Sequence, residues 1–291
     1  MKFHRVLAIP VLVATAALSL TACGGDDKDA SDTAIRIGTT DVDHAWEVFE
    51  QVAKDKGITL RTTNFSDYKQ PNLALSQGQI DVNLFQHLQF LGAYNVADND
   101  TLTPIGSTYI VPLGLYSKKH KSLADIQQGA EIAIPNDPTN QARALFVLQA
   151  AGLLKLSSDN DSPSPADVDK GASKVHVTPV DAAQTALSLS SVDGSIINNT
   201  FLERSGIDPH SALYKDDPKD PAAEPYINVL VTRAEDKTDP QLLQLVDLWH
   251  DPQVQQAQKE VTKDTAVEVR RDAPELEQIL QRVQQTIRDG K

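Results

Sequence analysis

Arg143 comes soon after Pro135-Asn136-Asp137-Pro138-Thr139-Asn140, a run that reads as a strand end, a cap and a helix start. The guanidinium then falls in about the first turn of a helix, where a cation opposes the dipole at a cost of a few tenths of a kcal/mol. Free first-turn amides and a guanidinium together make a receptor for a carboxylate. A solvated arginine fits the same position. Asn198 and Asn199 close an apolar strand over residues 194–197. A cleft residue would stand there, and so would an ordinary turn asparagine. Asn228 falls inside a strand read over residues 226–232. A buried amide at that point needs partners, from a loop or from a ligand. Tyr68, Phe85 and His87 gather near another strand end in a chain with only 5% aromatic residues. As a group they would wall an apolar side-chain pocket, while each alone suits core packing.

No catalytic signature accompanies these groups. The chain has no G-x-S-x-G, no H-E-x-x-H, no P-loop and no G-x-G-x-x-G. Its seven histidines are scattered without metal-ligand spacing, so neither a metal nor a cofactor is expected. Asp41-Val42-Asp43-His44 precedes a helix, and Asp43 is read as its N-cap. A net charge of −13 argues against a nucleic-acid partner, which needs Lys and Arg to neutralise phosphate.

The elements that must position these residues alternate along the chain. Residues 35–39 read as a strand, 43–56 as an amphipathic helix ended by Gly57, and 58–62 as the next strand. Residues 71–76 read as a short helix opened by Pro71 and closed by Gly78, 80–85 as a strand and 88–97 as a helix. An extended segment, 102–116, leads to a helix at 123–128, a strand at 131–134 and a helix at 141–154. Strands at 175–177 and 194–197 flank a helix at 182–189. Residues 157–173 and 209–225 read as exposed loops, and the tail from 241 as helical except around 263–274. The alternation predicts an α/β protein with parallel sheets, in two cores whose junction forms a cleft.

The N-terminus carries a different message. Met1-Lys2-Phe3-His4-Arg5, an uncharged and mostly apolar stretch from 6 to 20, and Thr21-Ala22 form a secretory signal over residues 1–22. Cys23, the one cysteine, resembles the lipobox cysteine that is lipidated and becomes the new N-terminus. The apolar stretch, about 15 residues, is too short to span a bilayer as a helix. Residues 23–33 read as a flexible polar linker, and no disulfide can form. A diacylated cysteine supplies the two chains that stable anchoring requires. The mature protein is therefore expected at the cell membrane, lipid-anchored on its extracytoplasmic face.

The run from Tyr68 to His87, YKQPNLALSQGQIDVNLFQH, resembles a segment of the NlpA/MetQ lipoproteins. Tyr116-Ser117-Lys118-Lys119, the 135–143 segment, Ile197-Asn198-Asn199-Thr200 and Pro225-Tyr226-Ile227-Asn228 resemble others in the same order. Jointly these segments are specific. The resemblance implies a two-lobed, type II periplasmic-binding-protein-like fold with a ligand cleft between lobes. One lobe would comprise 34–112 with 228–291, the other 113–227. It implies a monomeric, non-enzymatic receptor that captures methionine and delivers it to an ABC permease and its ATPase. Arg143 would hold the ligand carboxylate. Asn198 and Asn228 would bind the carboxylate or the α-ammonium, and Tyr68, Phe85 and His87 would line the thioether pocket. His44 matches a family His-Ala pair and would at most line the cleft.

Three departures stand out. Asp41-Val42-Asp43 replaces a loop that commonly contains Pro or Gly, Phe201 stands where tyrosine is frequent, and a helix over 274–288 is added. Rival readings keep the fold and bind D-methionine, a methionine-containing dipeptide or another apolar amino acid. Two others are a hydrolase with His87 as base and a surface adhesin.

Overall fold

The computed structural model describes residues 34–290, so the signal peptide, Cys23 and the linker lie outside the described residues. The chain begins β1 (Ile35–Thr39), α1 (His44–Asp55), β2 (Leu60–Asn64), α2 (Pro71–Ser76), β3 (Val82–His87), α3 (Leu88–Asp98). The extended stretch is β4 (Thr103–Ser107), β5 (Tyr109–Ile110) and β6 (Gly114–Tyr116). Next come β7 (Ala130–Pro135), α4 (Pro138–Ala150), β8 (Val175–Val180), α5 (Thr185–Ser188), β9 (Gly194–Ile197), α6 (Asn199–Arg204) and β10 (Tyr214–Lys215). The chain closes with β11 (Asn228–Thr232), α7 (Pro240–Trp249), α8 (Pro252–Thr262), β12 (Val267–Glu268) and α9 (Ala273–Arg288).

The strands form two five-stranded sheets, ordered β2-β1-β3-β11-β4 and β10-β6-β9-β7-β8, with β12 and β5 paired apart. Each sheet heads one lobe of a two-lobed α/β fold. The expectation of purely parallel sheets is corrected. β1, β2 and β3 are parallel, as are β7, β8 and β9, but β11 runs against β3 and β4, and β6 against β9. The cause is the path of the chain. It crosses between lobes after β4 and returns into β11, and a strand that enters from the neighbouring lobe runs opposite to the β-α-β strands beside it.

Alternation along the strands divides the first lobe's core in two. Ile37, Val82 and Leu230 face Trp46, Phe49, Leu245 and Trp249 beneath α1 and α7. Val229 and Val231 face Leu75, Leu88 and Leu91 on the other side, with Leu276, Ile279 and Leu280 of α9. The second lobe closes over Leu115, Ile132, Ile134, Leu145, Leu148 and Ile196. The added C-terminal helix thus packs on the body. Its buried residues Leu276, Ile279, Leu280 and Val283 recur at helical spacing, and Asp272 caps it by accepting the Glu275 amide at 3.0 Å.

Several boundaries move for local reasons. The helix read at 123–128 is one 3-10 turn, Leu123–Asp125, closed by a Ser122–Asp125 capping box before Ile126 turns extended. The helix read at 141–154 is α4, Pro138–Ala150, started earlier by the Asp137 cap and followed by Gly152 at φ +71°. β2 lies two residues later than read. β3 likewise starts two residues later than read and runs to His87, so His87 belongs to the strand rather than following it. Tyr226 falls in a 3-10 helix, Pro221–Tyr226, and β11 opens with Asn228.

Candidate ligand-binding cleft

All six residues singled out from the sequence, Tyr68, Phe85, His87, Arg143, Asn198 and Asn228, line one cavity between the two sheets. Phe85 and His87 project from the end of β3. Asn228 pairs with His87 in register at the start of β11. Asn198 stands at the N-cap position of α6 directly after β9, without a side-chain capping bond, and Arg143 comes from α4. The cleft is therefore built from strand ends and helix starts of both lobes, where α/β folds bind small molecules.

The Tyr68–His87 segment is held by amides. Asn72 donates to Gln86 Oε1 at 2.8 Å, and Asn83 donates to Asn72 Oδ1 at 3.0 Å, both fully enclosed. This network locks α2 to β3 and fixes the direction of Phe85 and His87. Tyr68 packs against Phe85, Phe90 and Phe201, with ring centroids 6.1, 6.0 and 5.3 Å away. Phe201, where a tyrosine hydroxyl was expected to be missing, is buried and serves as a wall for Tyr68.

Arg143 is only 4% exposed. Its Nε donates to Asp216 Oδ2 at 2.7 Å, its Nη2 to the Val111 carbonyl at 2.9 Å, and its plane lies 4.2 Å from the Tyr226 ring centre. Nη1 makes no hydrogen bond among the described residues. This corrects the first-turn reading. Asp137 is the N-cap, so Arg143 sits in the second turn, and the Asp137 side chain and carbonyl already accept the Asn140 and Gln141 amides. The guanidinium is clamped in place, and the helix terminus is already occupied by its cap.

Asn198 donates to Asn140 Oδ1 at 2.8 Å, while its own Oδ1 is buried with no hydrogen-bond partner among the described residues. An orphan acceptor in a cleft invites a donor. Asn140 in turn donates to Asp137 at 2.9 Å. Among the described residues the Asn228 side chain makes only a long contact to the Tyr226 carbonyl, 3.5 Å, which leaves its amide for the cavity.

His87 accepts the Phe90 amide on Nδ1 at 3.1 Å and faces Asn140 Oδ1 through Nε2 at 3.4 Å. Acceptance at Nδ1 puts the proton on Nε2. Burial, aided by the Arg143 charge, pushes its pKa down to about 3. A neutral imidazole with its acceptor nitrogen occupied is a poor general base.

Further residues, not named from the sequence as ligand contacts, lie around the same cavity. Asn140, Asp41, Tyr109 and Thr200 also line the cavity. Asn140 carried a signal, since it sits three residues before Arg143 and shares its helix face. Asp41 and Thr200 meet only through the tertiary fold, where Thr200 donates to Asp41 Oδ2 at 3.1 Å across the cleft. His44, expected at most to line the cleft, is exposed and lies beside Glu47 on the outside of α1.

A second, larger cavity of about 660 Å³ lies behind Arg143, between α4 and α9. Its walls are Phe146, Val147, Ile279 and Val283, and among the described residues no buried polar atom there lacks a partner. The second cavity is also lined by Asp161, Asp217, Asp220, Glu224 and Arg282, but only the first holds an orphan buried acceptor among the described residues. Among the described residues no helix is long and apolar enough to cross a membrane.

Comparison with known proteins agrees with this geometry. The chain is similar to the D-methionine-binding lipoprotein MetQ of Escherichia coli K12, at 33% identity over 271 residues, 91% of this chain and 98% of that one. A nutrient binding protein from Burkholderia cenocepacia bound to methionine superposes with a TM-score of 0.75 and 35% identity, over 80% of this chain and 99% of that one. The substrate binding protein of a methionine transporter from Streptococcus pneumoniae gives a TM-score of 0.76 and 34% identity, over 81% and 96%. The model of the NlpA lipoprotein family matches residues 35–270, and the chain belongs to that family.

Proposed function

We propose that the protein is the capture component of a methionine importer: a lipid-anchored, extracytoplasmic receptor that binds methionine and hands it to an ABC permease and its ATPase. The observation that carries this reading is the pairing of opposite needs in one aromatic-walled cavity. A clamped cation presents Nη1 at Arg143, and a buried acceptor lacks a donor at Asn198 Oδ1. An α-amino acid supplies both a carboxylate and an ammonium. In this reading Arg143 takes the carboxylate, Asn198 Oδ1 the ammonium, and Asn228 bonds to either. Tyr68, Phe85 and His87 enclose the side chain, where each sulfur–aromatic contact adds about 0.3–1.5 kcal/mol.

The relatives named for D-methionine binding, and the neighbour bound to methionine, support this ligand. The Streptococcus pneumoniae neighbour is the substrate binding protein of a methionine transporter, and the protein is a binder without covalent chemistry. Anchoring through Cys23, with residues 34–112 and 228–291 as one lobe and 113–227 as the other, and a monomeric state complete the proposal. The anchor raises the receptor's effective concentration at its permease.

Titration calorimetry with L-methionine, D-methionine and a glycyl-methionine dipeptide tests the reading. Tight binding of methionine is expected. Arg143→Ala should weaken it at least about tenfold, because a charge-assisted hydrogen bond contributes about 1.5–3 kcal/mol. Unchanged affinity in that variant would remove the carboxylate role of Arg143. A clear preference for the dipeptide would move the ligand class.

A further inference from the structure

We propose that Asp41 couples ligand capture to the uptake of a proton, so that the cleft closes more readily when the Asp41 carboxyl is neutral. This rests on the reading that the cleft closes on methionine, and it concerns a loop in which this chain departs from the usual family sequence.

Asp41 sits in the loop between β1 and α1 and lines the cavity. In the closed arrangement α6 of the other lobe lies against it. Thr200 donates to Asp41 Oδ2 at 3.1 Å. Arg204, one turn further on, reaches the Thr40 carbonyl, and the Ser66 and Phe65 carbonyls at 3.3 and 3.4 Å. Arg204 is therefore committed to backbone oxygens and, among the described residues, forms no ion pair with Asp41. The other groups facing Asp41 are acidic or neutral. Asp43 comes from its own loop, Glu203 from α6, Tyr68 from the loop after β2, and Tyr109 from β5. Closing the lobes thus takes much of the carboxyl out of water, where Asp43 already lies beside it, and brings Glu203 close as well. Burial chiefly, then Asp43, raises its pKa to about 7. Glu203 is raised as well, by burial and by Asp43, as one crowded acidic corner requires. A neutral carboxyl still accepts from Thr200 and carries no charge to repel its neighbours.

The sign of the effect follows. In the open cleft Asp41 is solvated and titrates near the ordinary value, about 3.9. In the closed cleft it titrates near 7. Between those values closure takes up a proton, and each unit of rising pH weakens closure by up to about tenfold. Above 7 both forms are ionised and the dependence levels off. His87 titrates in the opposite sense within the same cavity, so the wild-type profile alone mixes the two. Asp41→Asn mimics the neutral acid and leaves His87 in place, and the ratio of wild-type to variant dissociation constants isolates Asp41.

The experiment measures L-methionine binding by calorimetry from pH 5 to pH 8, for both proteins, in buffers of different ionisation enthalpy. The ratio of the two dissociation constants should rise by about 10- to 100-fold across that range. At pH 6 the wild type should take up close to one more proton per ligand than the variant. A ratio that stays constant, or equal proton uptake in both, overturns the proposal and leaves the receptor reading intact. If the Asn variant binds no methionine while the wild type does, the carboxylate itself is required and the proposal also fails. If wild type binds no methionine at any pH, the receptor reading falls and this inference with it.

Discussion

Arg143 owes its orientation to Asp216, a residue in a segment that reads from sequence as a solvated loop. Asp216 Oδ2 takes the Arg143 Nε, and its Oδ1 takes the Leu113 amide at 2.7 Å, so one carboxylate ties α4 to the crossing strand. The two side chains are unequal in exposure, 5% for that of Arg143 and 26% for that of Asp216. Removing one partner of a buried pair costs about 3–5 kcal/mol, and the partial exposure of Asp216 lowers that figure here. Asp216→Ala should therefore lower the melting temperature and weaken L-methionine by roughly tenfold or more, read by calorimetry at one pH. L-methioninol, which has no carboxylate, should lose far less. Equal losses for both ligands would mean that Asp216 supports the wall rather than aims the guanidinium. The six cleft residues were legible because each stands near a strand end or helix start, in a type that is costly to bury without a purpose. Asp216, Asp41 and Thr200 were not. Their partners lie 73 and 159 residues away, and no local pattern encodes such pairings.

At the level of elements, the sequence was most readable where chemistry punctuates it. Asp43 caps α1 by accepting the Trp46 amide at 2.9 Å, and Gly57 and Gly78 follow their helices at φ +80° and +69°. It was least readable where tertiary pairing sets the limits. β3 extends to His87 because β11 pairs with it that far, and Tyr226 leaves the strand because its ring stacks on Arg143. The helix α9 lies beyond the residues matched to the family, yet it is part of the core. It crosses α3 at Gly92, where a Cβ would come within 2.5 Å of Val283 Cγ1. Leu276 is fully buried in the same contact layer. Leu276→Ala should destabilise the protein by about 2–5 kcal/mol, seen as a lowered midpoint in urea. Methionine affinity measured well below the transition should stay unchanged. A wild-type midpoint for the variant would mean that α9 is an appendage, open to a partner.

If the receptor closes on its ligand as proposed, it works through what happens when its lobes meet, and the contacts between them differ greatly in value. Lys69 and Asp181 approach to 2.6 Å across the cleft, but Lys69 is largely exposed, and such surface pairs contribute about 0–1 kcal/mol. Arg204 is different, because it gathers three backbone carbonyls of the opposite lobe with one side chain. Hydrogen bonds from a charged group contribute about 1.5–3 kcal/mol, and these exist only when the cleft is shut. A ligand shifts such an equilibrium only by its preference for the closed form, so weakening the closed form lowers apparent affinity without touching the ligand. Arg204→Ala should raise the methionine dissociation constant by roughly 10- to 100-fold. Stopped-flow measurement should place most of that change in the dissociation rate, since encounter with the open cleft is unaltered. Lys69→Ala should change neither rate by more than about fivefold. If Lys69→Ala matches Arg204→Ala, closure depends on surface charge and should fade with salt. If Arg204→Ala slows association instead, the arginine guides ligand entry rather than holding the lobes together.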